Sequence, residues 1–257
     1  MIEYRRFVLA LLGCVLAAFI AAGAPADSFA GETAVEDEAN RILERSMTYL
    51  SGLPKFSLAA HSSIEAVLDS GQKIQFDNIS LLAVKRPNKL YAMRLGDLVG
   101  QTFYYDGATL TLHDADNGMF ATVDAPESLD GMLDFMRDSL DIVAPGADFI
   151  YSNAYELLME DVESGFLVGP SVVEGVVCDH LAFSKPGTDF QVWVARGEQP
   201  LPMKLVITSR DVMSAPQFSV VLREWDLEAE LADEKFVFDA PGDAQAIEFT
   251  VLEPESD

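Results

Sequence analysis

Val84-Lys85-Arg86-Pro87-Asn88-Lys89-Leu90 and Phe103-Tyr104-Tyr105-Asp106-Gly107-Ala108-Thr109-Leu110-Thr111-Leu112 decide how this chain folds. The first stretch reads as a strand, a corner marked by Pro87 and a return strand. The second reads as a hairpin, because Asp106-Gly107 tolerates the positive φ that both central residues of a type I′ turn require. Asp116-Asn117-Gly118 marks the next turn, so the strand ending near His113 is followed by another from Met119 to Val123. Three short antiparallel strands in succession form a meander with one apolar face.

Upstream, Phe56, Leu58, Ala60, Ile64, Ala66 and Leu68 alternate with Ser57, His61, Ser63, Glu65 and Asp69, the period-two signature of a long strand with one dry face. Asp69-Ser70-Gly71 turns the chain into a second long strand, Lys73 to Lys85. Its apolar parity changes near Asp77-Asn78, from Ile74 and Phe76 to Ile79 and Leu81, which predicts a β-bulge there and a bent strand. Before these strands, Thr33-Ala34-Val35-Glu36 has the form of a capping box. The stripe Ala39, Ile42, Leu43, Met47 and Leu50 predicts an amphipathic helix ended by Gly52 and Pro54.

Downstream of the meander, Asp124-Ala125-Pro126-Glu127 predicts the cap of a second helix with apolar Leu129, Met132, Leu133, Met136 and Leu140. Its methionines give an adaptable face, and Gly131 costs roughly 1 kcal/mol of helix propensity relative to Ala. Pro145-Gly146 separates it from a third helical piece, Asn153 to Glu160. The rest reads as strands: 166–173, 176–184, 189–196, 203–209, 218–227 and 235–238, with turns at Glu174-Gly175, Pro186-Gly187 and Gly197. About eleven sequential strands and about three helices without a βαβ rhythm place the chain in the α+β class, with a dominant antiparallel sheet.

Lys85-Arg86-Pro87-Asn88, Asp106-Gly107-Ala108-Thr109-Leu110 and Lys235-Phe236-Val237-Phe238-Asp239-Ala240-Pro241-Gly242 resemble, in order and spacing, the landmarks of the periplasmic lipoprotein carrier LolA. Over nearly the whole mature chain the sequence is similar to the predicted periplasmic proteins of domain of unknown function 2092. The LolA resemblance implies a curved, incomplete antiparallel barrel, with helices covering its mouth around an apolar cavity. It also implies that Arg86 lies near the mouth and helps hold the lid closed, a role suited to a guanidinium with five donors.

On that fold, the residues expected to bind ligand are Arg86, Phe56 and Leu58; Tyr91 and Met93 on the return strand; Phe103, Tyr105, Leu110 and Leu112 in the hairpin; and Leu129, Met132, Leu133 and Met136 on the second helix. The cavity would take lipid or the acyl chains of a lipoprotein. The alternative is an envelope interaction or sensor protein that uses the same fold to dock a protein partner.

Arg5-Arg6, the apolar run Phe7 to Ala22 and the small residues after it have the pattern of a secretory signal peptide. Two cleavage sites fit, Ala22-Gly23-Ala24, which puts Pro25 directly after the cut, and Ser28-Phe29-Ala30; the second assigns residues 1–30 to the signal and 31–257 to a single periplasmic LolA-like half-barrel domain. Leu11-Leu12-Gly13-Cys14 resembles a lipobox weakly, because the apolar run continues past Cys14. That run is shorter than the roughly 20 residues of a membrane-spanning helix, and no later window approaches that length, so the mature chain is not expected to be an integral membrane protein. Signal removal takes two basic and two acidic residues, and the formal charge stays at −25. Such a surface disfavours nucleic acid and anionic headgroups, and among proteins favours a basic envelope partner. Cys178 is then the sole cysteine, so no intramolecular disulfide forms.

Catalytic signals are sparse. His61 and His113 fall on polar strand faces. Cys178 and His180 share a face and could form a nucleophile pair or two metal ligands, but no further Cys or His supplies a third ligand. Phosphate loops, dinucleotide-binding turns, metalloprotease helices and nucleophile elbows are absent from the sequence. The expectation is a non-catalytic binding protein without a cofactor or metal.

Overall fold

The computed structural model describes residues 34–97 and 100–249. The expected signal peptide, Cys14, Thr33 and the acidic tail lie outside them. Helix α1 (Asp37–Ser51) is followed by strands β1 (Lys55–Val67), β2 (Lys73–Lys85), β3 (Lys89–Gly96), β4 (Gly100–Tyr105), β5 (Thr109–Asp114) and β6 (Met119–Asp124). Helices α2 (Leu129–Asp138) and α3 (Ala154–Met159) flank a 3-10 turn, Ala147–Ile150. Then come β7 (Ser164–Val173), β8 (Val176–Lys185), β9 (Thr188–Ala195), β10 (Pro202–Ser209), β11 (Gln217–Asp226), a second 3-10 turn at Asp233–Phe236, and β12 (Gln245–Ile247).

All twelve strands form one sheet in the order β12-β6-β5-β4-β3-β2-β1-β11-β10-β9-β8-β7. Every pairing is antiparallel except the short parallel one between β12 and β6. The sheet does not close, and β7 and β12 are its edges. It is the expected curved, incomplete barrel, and the short β12 was not legible in the sequence. The segment Lys235 to Phe238, expected to be a strand, instead begins inside the second 3-10 turn.

The curvature has other causes than the expected bulge. From Lys73 to Lys85, β2 keeps unbroken register with β1. The irregularities lie at Ser57/Ala59 between β1 and β11, at Pro202/Lys204 between β10 and β9, and at Leu167/Gly169 between β7 and β8. The parity change in β2 has a simpler origin: Ile79 and Leu81 stand 50% and 43% exposed on the convex face, while Asn78 is buried on the concave one.

At the first turn, positive φ occurs at Gly107 (+99°) and not at Asp106. The central pair is therefore Gly107-Ala108, the pattern of a type II′ turn. The Asp106 carboxylate instead accepts from the Ala108 and Thr109 amides at 2.9 and 2.8 Å. A Cβ at Gly107 would collide with the Asn88 side chain, so the two stretches that decide the fold meet at a position where only glycine fits.

Helix α1 buries Ala39, Ile42, Leu43, Met47 and Leu50, the predicted stripe. Full burial of each large member is worth roughly 1.5–3 kcal/mol. Its cap differs from expectation. Glu36 is the N-cap residue, and its carboxylate accepts from the Leu167 amide at 3.0 Å, which pins the helix start to β7. In α2 the cap is Ser128, whose hydroxyl accepts from the Gly131 amide at 3.1 Å, and the Asp124–Glu127 segment leads into it. The helices and the concave face of β1 to β5 and β8 to β11 share one apolar core.

The convex face is not bare. Lys55, Lys85 and Lys89 are successive cross-strand neighbours on it, an arrangement that like charges disfavour. The segment after β11 crosses over them. Lys55 Nζ donates to Ala229 O at 2.7 Å, and Lys85 Nζ donates to Leu231 O at 3.2 Å and to Asp233 at 2.6 Å. Further on, Phe236 is fully buried and Phe238 packs against Tyr104, His113 and Phe120 before β12 joins β6.

Candidate ligand cavity

Alternation along the strands directs Phe56, Leu58 and Ala60 of β1, Leu82 of β2, Leu90 and Ala92 of β3, and Phe103 of β4 toward the concave side. Phe218, Val220 and Leu222 of β11 join them. Over this floor lie Leu50 of α1, Leu133 and Met136 of α2, the segment Ile142 to Ala147, and Phe149 and Ile150. Between floor and roof is a cavity of about 220 Å³. Its size falls between the ~150 Å³ hole that accepts benzene and the ~300 Å³ at which ordinary ligand pockets begin.

The lining is apolar except at one end, where Ser62, Ser80 and Arg94 gather. Ser80 lies directly across from Ala60 on one side and Arg94 on the other. At the opposite end the Trp225 ring stands 5.4 Å from Phe56, and its buried Nε1 has no hydrogen-bond partner.

Of the expected site residues, Phe56, Leu58, Phe103, Leu133 and Met136 border the cavity from its concave side; Met93 touches its rim but has the outward strand parity of its partner Leu81. Leu110, Leu129 and Met132 are fully buried beside it, in the core that joins α2 to the sheet. Tyr105 is there too; its hydroxyl donates to Pro126 O at 2.5 Å, and burial pushes its pKa up to about 12. Leu112 is half-buried on β5, across from Phe103, and does not itself line the cavity. Tyr91 is a correction. It points to the convex face, where its ring meets Tyr104 at 5.4 Å and Lys235 Nζ lies 4.2 Å from its centre. The strand period of two puts Leu90 and Ala92 inside and therefore Tyr91 outside.

Arg86 does not line the cavity wall. Its Nη2 donates to Ile150 O at 2.8 Å, at the end of the 3-10 turn that roofs the cavity. The neighbouring Pro87 carbonyl accepts from Leu129 N at 3.1 Å, so the same corner also holds the start of α2. Burial lowers the Arg86 pKa, with Asp130 opposing the effect. A polar cluster fastens the far side of the turn: Tyr151 OH donates to Asp134 at 3.0 Å, Arg137 bonds Asp134 at 2.9 Å, and Ser152 bonds Asp130.

The Cys178–His180 pair has no reactive geometry. Cys178 is fully buried, its thiol points to Val176 O at 3.4 Å, and burial raises its pKa. His180 stacks on Trp193 at 4.0 Å and bonds Gln191 at 2.9 Å, and burial lowers its pKa. Among the described residues, no three His, Cys, Asp or Glu side chains converge as a metal site. Nor is any helix there long and apolar enough to cross a membrane.

Sequence reasoning missed Arg94, Trp225 and the β11 residues, whereas the 142–147 roof falls within the segment 127–160 expected to close the barrel. The alternation Phe218, Val220, Leu222 was visible. What pointed it at the cavity is the pairing of β11 with β1, across more than 150 residues of chain.

Residues 39–250 match the family described as Predicted periplasmic protein (DUF2092). The chain belongs to this family. The periplasm, implied by the signal pattern, is also the family's compartment. No curated protein matches the sequence. Among solved structures, the chain is similar to the lipoprotein LppX of Mycobacterium tuberculosis, with 11% identity and a TM-score of 0.44 over 77% of this chain and 100% of that one. It is also similar to LprF of Mycobacterium bovis, at 12% and 0.41 over 82% and 99%. The LolA superfamily protein NE2245 of Nitrosomonas europaea gives 12% and 0.40 over 78% and 97%.

Proposed function

We propose that this protein is a non-catalytic periplasmic binding protein that takes up the acyl part of a lipid or lipoprotein. The observation that carries this reading is the cavity between the concave sheet and its roof, apolar along its length and polar at one end. Transfer of an apolar chain from water into such a lining is favourable by roughly 25 cal/mol per Å² buried. The roof is built from adaptable pieces, Met136 and the loop from Ile142 to Ala147, so the cavity can widen around a chain longer than its resting volume holds. Protein purified from its native periplasm, extracted with organic solvent and analysed by mass spectrometry, is expected to release stoichiometric lipid. Delipidated protein should then bind a fluorescent fatty-acid probe. Clean extracts combined with no probe binding would refute the reading.

A second reading, docking of a protein partner, is favoured by one feature. Val172 and Val177, directly paired on β7 and β8, are 65% and 50% exposed near the open edge of the sheet. Replacing both with Thr should leave probe binding unchanged and remove capture of any envelope partner.

A further inference from the structure

Arg94 sits on the concave face of β3, at the polar end of the cavity. Its Nη2 donates to Gln101 Oε1 at 3.0 Å, while its Nε is buried without a hydrogen-bond partner. Acidic residues outnumber basic ones 42 to 17 in this chain, yet Arg94 forms no ion pair among the described residues. Burial alone lowers its pKa, with no carboxylate opposing it. Buried charges in proteins are ordinarily paired, so a half-buried guanidinium without a counterion beside an apolar cavity calls for one. Ser62 and Ser80 add hydroxyls next to it, and the buried Asn78 Oδ1 nearby also lacks a partner.

We propose that Arg94 is the anion anchor of this cavity, and that the ligand is a single-chain amphiphile whose carboxylate pairs with Arg94 while its hydrocarbon lies toward Phe56 and Trp225. This inference rests on the ligand-binding reading above and names the ligand class. Three features select it. The guanidinium fork matches a carboxylate with two donors. One arginine neutralises one negative charge, and the net charge of −25 over the whole chain disfavours a doubly charged phosphate more than a singly charged carboxylate. At rest the cavity of about 220 Å³ holds only part of a long chain, so a single chain asks the least widening of the roof. From Phe56 to Ser62 the floor runs six strand positions, roughly 20 Å, so head and tail are read at opposite ends.

The test uses the full mature chain, delipidated, titrated with a fluorescent long-chain fatty acid and with its methyl ester. Wild type is expected to prefer the acid by about tenfold or more, since a charge-assisted bidentate pair is lost with the ester. Arg94→Met should abolish that preference by weakening acid binding and leaving ester binding within twofold. Arg94→Lys should retain part of it. Ser80→Asp supplies a built-in counterion directly across from Arg94 and keeps the arginine's packing, so it should weaken the acid and spare the ester. Equal loss of acid and ester in these variants, or no loss of either, overturns the proposal while ligand binding stands. Wild type that binds neither compound overturns the binding reading itself.

Discussion

Arg86 Nη2 donates to the carbonyl oxygen of Ile150 at 2.8 Å, joining the corner between β2 and β3 to the end of the 3-10 turn that roofs the cavity. The guanidinium is half-buried and its Nε has no partner, so much of what the bond contributes is offset by desolvation.

Arg86→Leu is therefore expected to loosen the roof more than the fold. Amide hydrogen exchange across 147–152 should accelerate about tenfold, while the global unfolding free energy changes by about 1 kcal/mol or less. A loss spread evenly over all core amides would show that Arg86 supports the whole fold rather than its lid.

Met132 and Met136 lie one turn apart on α2 but do different things. Met132 is sealed in the core, whereas Met136 touches the cavity. Met132→Ala should cost about 2–5 kcal/mol, and Met136→Ala less than about 2 kcal/mol, because its removal enlarges space that is already open. Met136→Ala should also admit a bulkier probe. Equal costs in chemical denaturation would place both residues in the core.

Asp148, within the roofing turn, has its carboxyl pKa raised by burial, with Lys185 partly opposing the shift. A pKa raised in the folded state stabilises the docked turn below the ordinary aspartate range, and that stability is lost as pH rises through the raised value. Roof opening, read by exchange or by probe release, should increase over that window, and Asp148→Asn should remove the dependence. An unchanged pH profile in Asp148→Asn would sink the assignment.

The crossing segment on the convex face depends on Phe236, which is fully buried. Phe236→Ala should cost about 3–5 kcal/mol in denaturant unfolding. The Asp233 carboxyl is held below its usual range chiefly by its bond to Lys85, so that contact persists at neutral pH and is lost as the pH falls through the depressed value. Protease cleavage between 229 and 240 should rise under those acidic conditions and should not rise at neutral pH.

The helices and most strands were legible because their apolar periods are clean. Ala39 through Leu50 repeat every three or four residues, and Phe56 through Ala60 alternate. The inside of the sheet was harder to read, because both faces carry apolar residues. Ile79, Leu81, Tyr91 and Tyr104 occupy the convex face, and a segment more than 120 residues away in sequence crosses that side with Phe236 and Phe238. Alternation then says that two faces exist without saying which is concave, and Tyr91 was assigned to the wrong one. Arg94 escaped notice for a related reason: a charged residue in a strand reads as solvent-facing until its partners Ser80 and Gln101 prove to share the concave face with it.

The order of strands has a consequence for how the chain is born. β1 is hydrogen-bonded on one side by β2, its neighbour in sequence, and on the other by β11. During synthesis from the N-terminus, the meander from β1 to β6 can form early, but the long free edge of β1 has no partner until residues 217–226 emerge. Until then an unpaired edge with an apolar face is open to other chains, and this seam closes across more than 150 residues, a long-range contact of the kind that slows folding. A nascent or truncated chain ending before Gln217 should be a client for chaperones and a seed for aggregation, while the same residues in the finished protein lie quietly at the centre of the sheet.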